Sequence, residues 1–296
     1  MTLTLNGLHK QYGKLTAVNR LSLEIAPGAV FGLLGPNGSG KTTTLGMILG
    51  VVRPTAGSYQ WFGRAPSHQV RKRIGAILEK PNFYPNFSAR KNLQLVCKIK
   101  EADPAAIPRV LAQVGLSARQ GDAFKTYSLG MKQRLAIASA LLADPEVLIL
   151  DEPTNGLDPQ GIAEIRDLIR QIAQSGKTIV LASHLLDEVQ KVCSDFAILK
   201  QGHLIHTGRV QADFGDAVLL RVEAADQVAL LKLLEQFPGY RSHRVLAQQV
   251  EVTCAVGTAP ESLTEFLARH DLYLRHLSAV TKSLEQQFID ILAQHA

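Results

Sequence analysis

A glycine-rich segment, residues Gly35–Thr42 with the sequence GPNGSGKT, matches the pattern G-x-x-x-x-G-K-[ST] at every fixed position. Glycines let the backbone curl closely around phosphate oxygens and aim its N–H groups at them from a helix N-terminus. Lys41 adds a positive charge for the β- and γ-phosphates, and the Thr42 hydroxyl is placed to coordinate Mg²⁺. The alternative is a chance glycine-rich turn. Because the apolar run Ala29–Leu34 comes directly before the segment, the pattern favours a phosphate-binding loop.

Two adjacent acids form the second candidate site. The apolar run Val147–Leu150 ends abruptly in Asp151 and Glu152. At a strand tip beside a phosphate loop, Asp151 can hold Mg²⁺ through water, and Glu152 can accept a proton from an attacking water or orient it. The alternative is a solvated strand end with ordinary acidic loop residues. The upstream phosphate loop makes nucleotide hydrolysis the favoured interpretation.

Short apolar runs alternate with longer helical patterns through the first two thirds of the chain, which predicts an α/β fold with a mainly parallel sheet. The expected strands are Ala29–Leu34, Ile74–Leu78, Val147–Leu150 and Thr178–Ala182. Each precedes a polar or glycine-rich segment: Gly35–Thr43, Glu79–Phe87, Asp151–Pro159 and Ser183–Glu188. Since ligands of open α/β sheets bind at the carboxyl ends of the strands, these segments are expected to line one site.

A second domain is expected after about Gly215, where the elements become shorter. Strands are predicted near Val218–Glu223, Gln249–Cys254 and Leu272–Leu277, and helices near Gln227–Phe237, near Pro260–His270 and from Ser283. If Arg241–Leu246 is also a strand, the order βαββαβ is ferredoxin-like. We therefore expect a large domain over residues 1–215 and a small α+β accessory domain over 216–296.

The composition excludes several protein classes. With 46% hydrophobic and 20% charged residues, the 296-residue chain is an ordinary globular sequence. Its three cysteines lie far apart without metal-ligand spacing, which favours neither a disulfide framework nor a zinc site. Met1–Lys10 lacks a signal-peptide pattern, and no run approaches the roughly 20 apolar residues of a spanning helix. The scattered basic residues indicate a solvated surface more than a nucleic-acid or anionic-lipid site.

Beyond the phosphate loop and the acid pair, further segments resemble one family. Tyr127–Leu135, with the sequence YSLGMKQRL, resembles the signature motif of ATP-binding cassettes and lies between the phosphate loop and the acid pair, as in that family. Asn155–Asp158 resembles the D-loop, Ser183-His184 resembles the switch-histidine segment, and Tyr12 lies where the family has an aromatic ring that stacks on adenine. The resemblance covers roughly residues 2–215. It implies a P-loop NTPase fold with a helical signature subdomain at about 82–145.

The resemblance also implies the cofactors ATP and Mg²⁺ and a set of site residues. The implied nucleotide contacts are Tyr12, Gly35, Asn37, Gly38, Ser39, Gly40, Lys41, Thr42, Thr43, Ser128, Gly130 and Asp158. The implied metal site consists of Thr42, Glu79 and Asp151. The implied catalytic residues are Glu152, which would activate water, and His184, which would contact the γ-phosphate.

The partners implied by the resemblance are a second cassette and a membrane protein. Two cassettes, as a homodimer or a pair, would sandwich two ATP molecules, each between the Lys41 loop of one copy and the Ser128 segment of the other. A separate transmembrane permease would rest near Glu79–Phe87. The chain would then lie at the cytoplasmic face of the cell membrane, and no nucleic-acid partner is expected.

Two departures from the commonest family pattern narrow the interpretation. Glu79 replaces the usual glutamine, and the signature has Leu129 and Met131 in place of a glycine and a polar residue. Both departures resemble cassettes of bacitracin, lantibiotic and drug exporters, which favours export of a peptide antibiotic, drug or lipid. The sequence does not identify the transported substrate, because in this family the membrane subunit forms the transport pathway. The alternatives are a soluble cassette ATPase acting on ribosomes or DNA and a regulatory module without turnover. Such ATPases generally carry two cassettes or long coiled-coil insertions, which this chain lacks, and the intact Glu152 and His184 disfavour the module.

Overall fold

The computed structural model describes residues 1–78, 81–213, 218–246, 249–255 and 257–280. The chain forms two compact units, one spanning Met1–Val210 and the other beginning at Gln211. The domain boundary expected at residue 215 falls in a segment outside the described residues and stays a prediction.

The first unit contains nine strands and seven α-helices among its described residues, besides two 3₁₀ turns. The strands are β1 (Leu3–Tyr12), β2 (Leu15–Ile25), β3 (Val30–Leu34), β4 (Ala56–Trp61), β5 (Ile74–Ile77), β6 (Val147–Asp151), β7 (Thr178–Ser183), β8 (Asp195–Lys200) and β9 (His203–Arg209). The helices are α1 (Lys41–Ile48), α2 (His68–Lys72), α3 (Ala89–Lys100), α4 (Ala106–Gln113), α5 (Leu129–Leu141), α6 (Pro159–Gln174) and α7 (Leu186–Val192). One further short helix, α8 (Val210–Asp213), follows β9.

The main sheet has the strand order β5-β6-β7-β3-β8-β9. All neighbouring pairs are parallel except β8 and β9, which are antiparallel. Strands β3, β6 and β7 are buried at every position, as expected of central strands covered on both faces. The mainly parallel α/β fold is therefore confirmed, and each of the four expected strands forms with its ends shifted by at most one residue.

A three-stranded antiparallel sheet, in the order β2-β1-β4, accompanies the main sheet. Its apolar side chains, among them Leu5, Leu21 and Trp61, share one buried cluster with Leu33 of β3 and Met47 of α1. Trp61 Nε1 donates to the backbone oxygen of Ile48 at 2.8 Å. This sheet thereby fixes the helix that follows the phosphate loop.

A helical region lies between β5 and β6. Helices α3, α4 and α5 contact one another within the segment where a helical subdomain is expected. The signature residues lie at the N-terminus of helix α5, where Ser128 is the N-cap.

The second unit is an α+β domain, as predicted. Its elements are β10 (Val218–Ala224), α9 (Gln227–Leu234), β11 (Tyr240–Leu246), β12 (Gln249–Cys254), α10 (Pro260–Ala268) and β13 (Leu274–Val280). The strand considered at Arg241–Leu246 forms as β11, which gives the β-α-β-β-α-β order and an antiparallel sheet ordered β11-β12-β10-β13. This unit has its own core, which includes Leu220, Val252 and Leu263. The helix expected from Ser283 lies outside the described residues.

Candidate nucleotide-binding and hydrolysis site

The candidate site lies at the carboxyl ends of three adjacent strands, β6, β7 and β3. Leu34 of β3 pairs with Ser183 of β7, and Asp151 of β6 pairs with Ala182 of β7. The phosphate loop, the acid pair and the histidine segment therefore begin at neighbouring positions of one sheet edge. Ligands of open α/β sheets bind at this edge.

The glycines of the phosphate loop are required by close packing as well as by backbone conformation. A Cβ atom on Gly35 would lie 2.3 Å from the backbone oxygen of Leu199. Gly40 has a φ of 104°, and a Cβ atom there would lie 2.5 Å from the backbone oxygen of Ala17. Since side chains rarely adopt that φ and those contacts leave no room for a methyl group, the loop depends on glycine at both positions.

Lys41 is buried inside the loop, with 5% of its surface exposed. Its Nζ atom donates to the backbone oxygens of Gly35 at 2.7 Å and Pro36 at 3.2 Å. The same atom lies 3.3 Å from Oε1 of Glu152. The ammonium group is thus held at the centre of the curled backbone, where a phosphate would meet it.

Glu152 joins the loop to the histidine segment. Its φ of 48° lies in the left-handed region, and its N–H donates to the oxygen of Ala182 at 3.0 Å. Its Oε2 atom lies 2.7 Å from Nδ1 of His184. A non-glycine residue in this conformation carries strain, which in proteins is concentrated at functional sites. One carboxylate is thereby placed between Lys41 and His184.

Oxygen donors suitable for Mg²⁺ are present at two of the three predicted metal positions. Asp151 is 2% exposed at the end of β6, and Thr42 is exposed in the first turn of α1. Among the described residues, no group of three or more His, Cys, Asp or Glu side chains could hold a metal by itself. This donor set fits Mg²⁺, which commonly binds one or two carboxylates together with substrate phosphates. Glu79 lies outside the described residues, and its metal role stays a prediction.

Further predicted nucleotide contacts lie on the loop, on the first turn of α1 and on β1. Asn37 and Gly38 are exposed on the loop, Ser39 is buried, and Thr43 is half-buried on α1. Tyr12 lies at the end of β1 with 47% of its surface exposed. The Nζ atom of Lys10 lies 4.7 Å from the centroid of the Tyr12 ring.

The signature and D-loop residues begin helices. Ser128 Oγ accepts a hydrogen bond from the Met131 N–H at 3.3 Å, and Asp158 Oδ1 accepts one from the Gly161 N–H at 2.8 Å. In the described part of the chain, no hydrogen bond or ion pair joins Ser128 or Gly130 to residues 35–43. The fold therefore brings Lys41, Glu152 and His184 into contact, whereas the signature residues make no hydrogen bond or ion pair to the described loop residues.

Glu188 is a buried polar residue that sequence reasoning did not single out as a site residue. Its Oε2 atom lies 2.9 Å from the hydroxyl of Ser183, directly before His184. The available signal was an acidic side chain between Leu186 and Val189, two buried apolar residues of α7.

Three features define a P-loop nucleotide hydrolase. A buried strand runs through a glycine-rich loop into a helix, a lysine is held in that loop, and an acid pair lies at the end of another strand of the same sheet.

Three comparisons identify the family within that class. The family model for ABC transporters matches residues 18–155. The chain is 38% identical over 297 residues to the uncharacterized ABC transporter ATP-binding protein YhcH of Bacillus subtilis strain 168, covering 98% of this chain and 95% of that protein. It is 41% identical over 203 residues to the bacitracin transport ATP-binding protein BcrA of Enterococcus faecalis, covering 67% of this chain and 66% of that protein. The solved structure of cbiO1 from Clostridium perfringens, part of an ABC transporter complex, superimposes with a TM-score of 0.65 at 26% identity, covering 80% and 96% of the two chains.

The chain therefore belongs to the ABC transporter family, as an ATP-binding subunit whose ATP hydrolysis is coupled to transport. The family resemblance drawn from the sequence, including its bacitracin-type subgroup, is confirmed. ATP-binding subunits of this family dimerise and work with separate membrane permeases. Across the described ranges, no helix has the length and apolar character needed to span a bilayer.

Proposed function

We propose that this chain powers an exporter of a peptide antibiotic, drug or lipid, by closing as a dimer on two ATP molecules beneath a separate transmembrane permease. The observation that carries the proposal is the carboxylate of Glu152, which contacts Lys41 through one oxygen and His184 through the other. A phosphate held at Lys41 would lie directly beside the group that activates water.

The proposed steps at this carboxylate follow from its two contacts. Lys41 and the loop N–H groups bind and orient the β- and γ-phosphates. Glu152 orients a water molecule for attack on the γ-phosphorus and accepts its proton. His184 holds the carboxylate in place through Nδ1 and contacts the γ-phosphate. Hydrolysis then depends on a geometry that the sheet edge provides.

Thr42, Asp151 and Glu79 would hold Mg²⁺ in this proposal. Mg²⁺, when bound, neutralises charge on the β- and γ-phosphate oxygens. Asp151 suits this role because it is buried at a strand end directly before Glu152. Asn37, Gly38, Ser39 and Thr43 would complete the contacts to the phosphates.

The proposed dimer completes the site from the opposite copy. Ser128 is exposed at the N-terminus of α5, where backbone N–H groups favour an anion, and Gly130 leaves room for a phosphate to approach. Asp158, exposed at the N-terminus of α6, would contact the opposite copy. Tyr12 would stack on adenine through its exposed ring. Among the described residues, Ser128 makes no hydrogen bond to the loop of its own chain, which supports a site shared by two copies.

The proposed permease contact lies on the loop that ends at Phe87. Tyr84 is 62% exposed there, and its ring lies 5.2 Å from that of Phe87, centroid to centroid. Asn92, 2% exposed, accepts a hydrogen bond from the Tyr84 N–H and donates to the backbone oxygens of Tyr84, Phe87 and Ser88. A rigid loop with an exposed aromatic residue suits a surface that transmits movement to another protein.

The export direction rests on the departures at Glu79, Leu129 and Met131 and on the relative named for bacitracin transport. A position at the cytoplasmic face of the cell membrane follows from the permease contact. No nucleic-acid partner is expected in this proposal.

The test compares ATP hydrolysis by the purified chain alone, with ribosomes, with double-stranded DNA, and after co-purification with a candidate multi-helix membrane protein from a neighbouring reading frame. The proposal predicts hydrolysis that Lys41→Ala abolishes and that only the membrane protein stimulates. Stimulation by ribosomes or DNA, without an effect of the membrane protein, would contradict it.

A further inference from the structure

The turn that contains His184 is held by a hydrogen bond to the buried hydroxyl of Ser183. Ser183 has no exposed surface, and its Oγ atom accepts a hydrogen bond from the Leu185 N–H at 3.0 Å. The backbone on both sides of His184 is thereby tied to one atom. The backbone oxygen of Ser183 also accepts a hydrogen bond from the Gly35 N–H at 3.3 Å, so the same residue contacts the first residue of the phosphate loop.

The Ser183 hydroxyl in turn donates a hydrogen bond to Glu188, whose Oε2 atom lies 2.9 Å away. Glu188 is only 4% exposed, and its Oε1 atom makes no hydrogen bond to any described residue. A buried carboxylate with so few partners is costly to a fold, and most buried polar groups in native structures are better satisfied. The contact with Ser183 suggests what this carboxylate does. By accepting the hydrogen bond from the Ser183 hydroxyl, Glu188 orients that hydroxyl so that its oxygen can accept from the Leu185 N–H.

Helix α7 reaches this position because it packs closely on the strand that leads into the phosphate loop. A Cβ atom on Gly32 would lie 2.6 Å from Cγ1 of Val189 and 3.1 Å from Sγ of Cys193. Glycine at position 32 therefore allows α7 to approach β3, which places Glu188 beside Ser183 at the end of β7. The helix, the strand and the turn are therefore packed against one another.

We propose that Glu188 is a positioning residue for hydrolysis, which acts through the Ser183 hydroxyl to hold His184 against Glu152. The proposal rests on the proposed role of His184. Without the carboxylate, the Ser183 hydroxyl loses its acceptor and the turn from Ser183 to Leu185 loosens. His184 then spends less time within hydrogen-bonding distance of Glu152, while Lys41 keeps its hydrogen bonds to Gly35 and Pro36 of the phosphate loop.

The experiment measures kcat and KM for ATP in the full chain. Glu188→Leu is expected to lower kcat by about tenfold or more with little change in KM, since a small misplacement of a catalytic group greatly lowers the reaction rate. Glu188→Gln keeps an oxygen that accepts from Ser183 and is expected to restore most of the activity. Asp187→Ala, an exposed change on the same helix, is the matched control and is expected to leave kcat unchanged.

The decisive comparison places Glu188→Leu in the background of His184→Ala. If Glu188 acts only through His184, the double variant is no slower than His184→Ala alone, because the two effects are not additive. An equal loss of kcat in both backgrounds, or a Gln variant as impaired as the Leu variant, overturns the proposal. If Glu188→Leu does not fold, Ser183→Ala removes the hydroxyl instead, and an additive loss with His184→Ala again overturns it.

The same measurements separate this inference from the proposed function. A fully active His184→Ala variant overturns the role of His184 and the inference with it. A normal Glu188→Leu enzyme beside an impaired His184→Ala enzyme overturns the Glu188 inference alone.

Discussion

The Nζ atom of Lys41 lies 3.3 Å from Oε1 of Glu152, inside a loop where the lysine is almost fully buried. The residue that would hold the outer phosphates and the residue that would activate water are therefore ionic partners. Breaking a buried pair by removing one member leaves the other charge without compensation. Variants of either residue should accordingly be tested for folding before a loss of activity is interpreted.

The glycines of the phosphate loop should differ in how well they tolerate a methyl group. Both Gly38→Ala and Gly40→Ala place a side chain at positive φ, which costs about 1–2 kcal/mol. At Gly40 the new Cβ would also meet the Ala17 oxygen at 2.5 Å, whereas at Gly38 it meets nothing within 4 Å. Gly40→Ala should therefore lower the free energy of unfolding further, as measured by urea denaturation without nucleotide. Equal losses in the two variants would show that the contact with Ala17 does not constrain the loop.

Asn92 should separate basal hydrolysis from coupling to the membrane partner. Asn92→Ala removes the four hydrogen bonds that the Asn92 side chain makes to the loop at residues 84–88, and each buried group left unpaired costs about 1–3 kcal/mol. The folded variant should hydrolyse ATP at the parent basal rate and lose its stimulation by the co-purified membrane protein. Gln94→Ala, exposed on the same helix, is the control and should change neither rate. Normal stimulation of folded Asn92→Ala would remove this loop from the contact.

The strands beside the site could be predicted from the sequence almost to the residue, because β3, β6 and β7 are apolar at nearly every position. The antiparallel sheet could not. Its strand β1 pairs with β2 through register shifts between Leu5, Leu8 and Lys10, and these interrupt the alternation that identifies a half-buried strand.

The residues of the site differed in how far the sequence could predict them. Lys41 and Glu152 follow from residue types and spacing, because a glycine-rich loop that ends in lysine and an acid pair at a strand end are together typical of nucleotide hydrolysis. His184 required the family resemblance, since a lone histidine after a strand carries little signal. The contact of Glu188 with Ser183 depends on the close packing of α7 on Gly32, and no local pattern encodes that distance.

The accessory domain should be dispensable for nucleotide binding. Each unit has its own buried core, with Leu5 and Trp61 in the first and Leu220 and Leu263 in the second. A fragment ending at residue 215 should fold and bind ATP with the affinity of the full chain, as measured by calorimetry, and should differ only in dimerisation or partner contact. A folded fragment that has lost ATP affinity would contradict this division of roles.

The three thiols should be unreactive in the folded chain. Burial raises the pKa of Cys97, Cys193 and Cys254, and nearby carboxylates, among them Glu188, raise that of Cys193 further. Because the unfolded chain loses these protons at a lower pH, the free energy of unfolding should be unaffected below the ordinary thiol pKa. It should fall as the pH rises above that value. Alkylation by iodoacetamide at pH 8 should modify the thiols only in denaturant; rapid labelling of the native chain would contradict their burial.

The central claim is that Glu152 is the general base of a shared, two-copy site, and Glu152→Gln tests it most directly. The variant keeps the side-chain length and loses the basic carboxylate. It should bind ATP as tightly as the parent, hydrolyse it about a hundredfold more slowly or worse, and accumulate as an ATP-dependent dimer in light scattering. Glu261→Gln, an exposed change in the second unit, should behave as the parent. Hydrolysis by Glu152→Gln at near the parent rate would contradict the account.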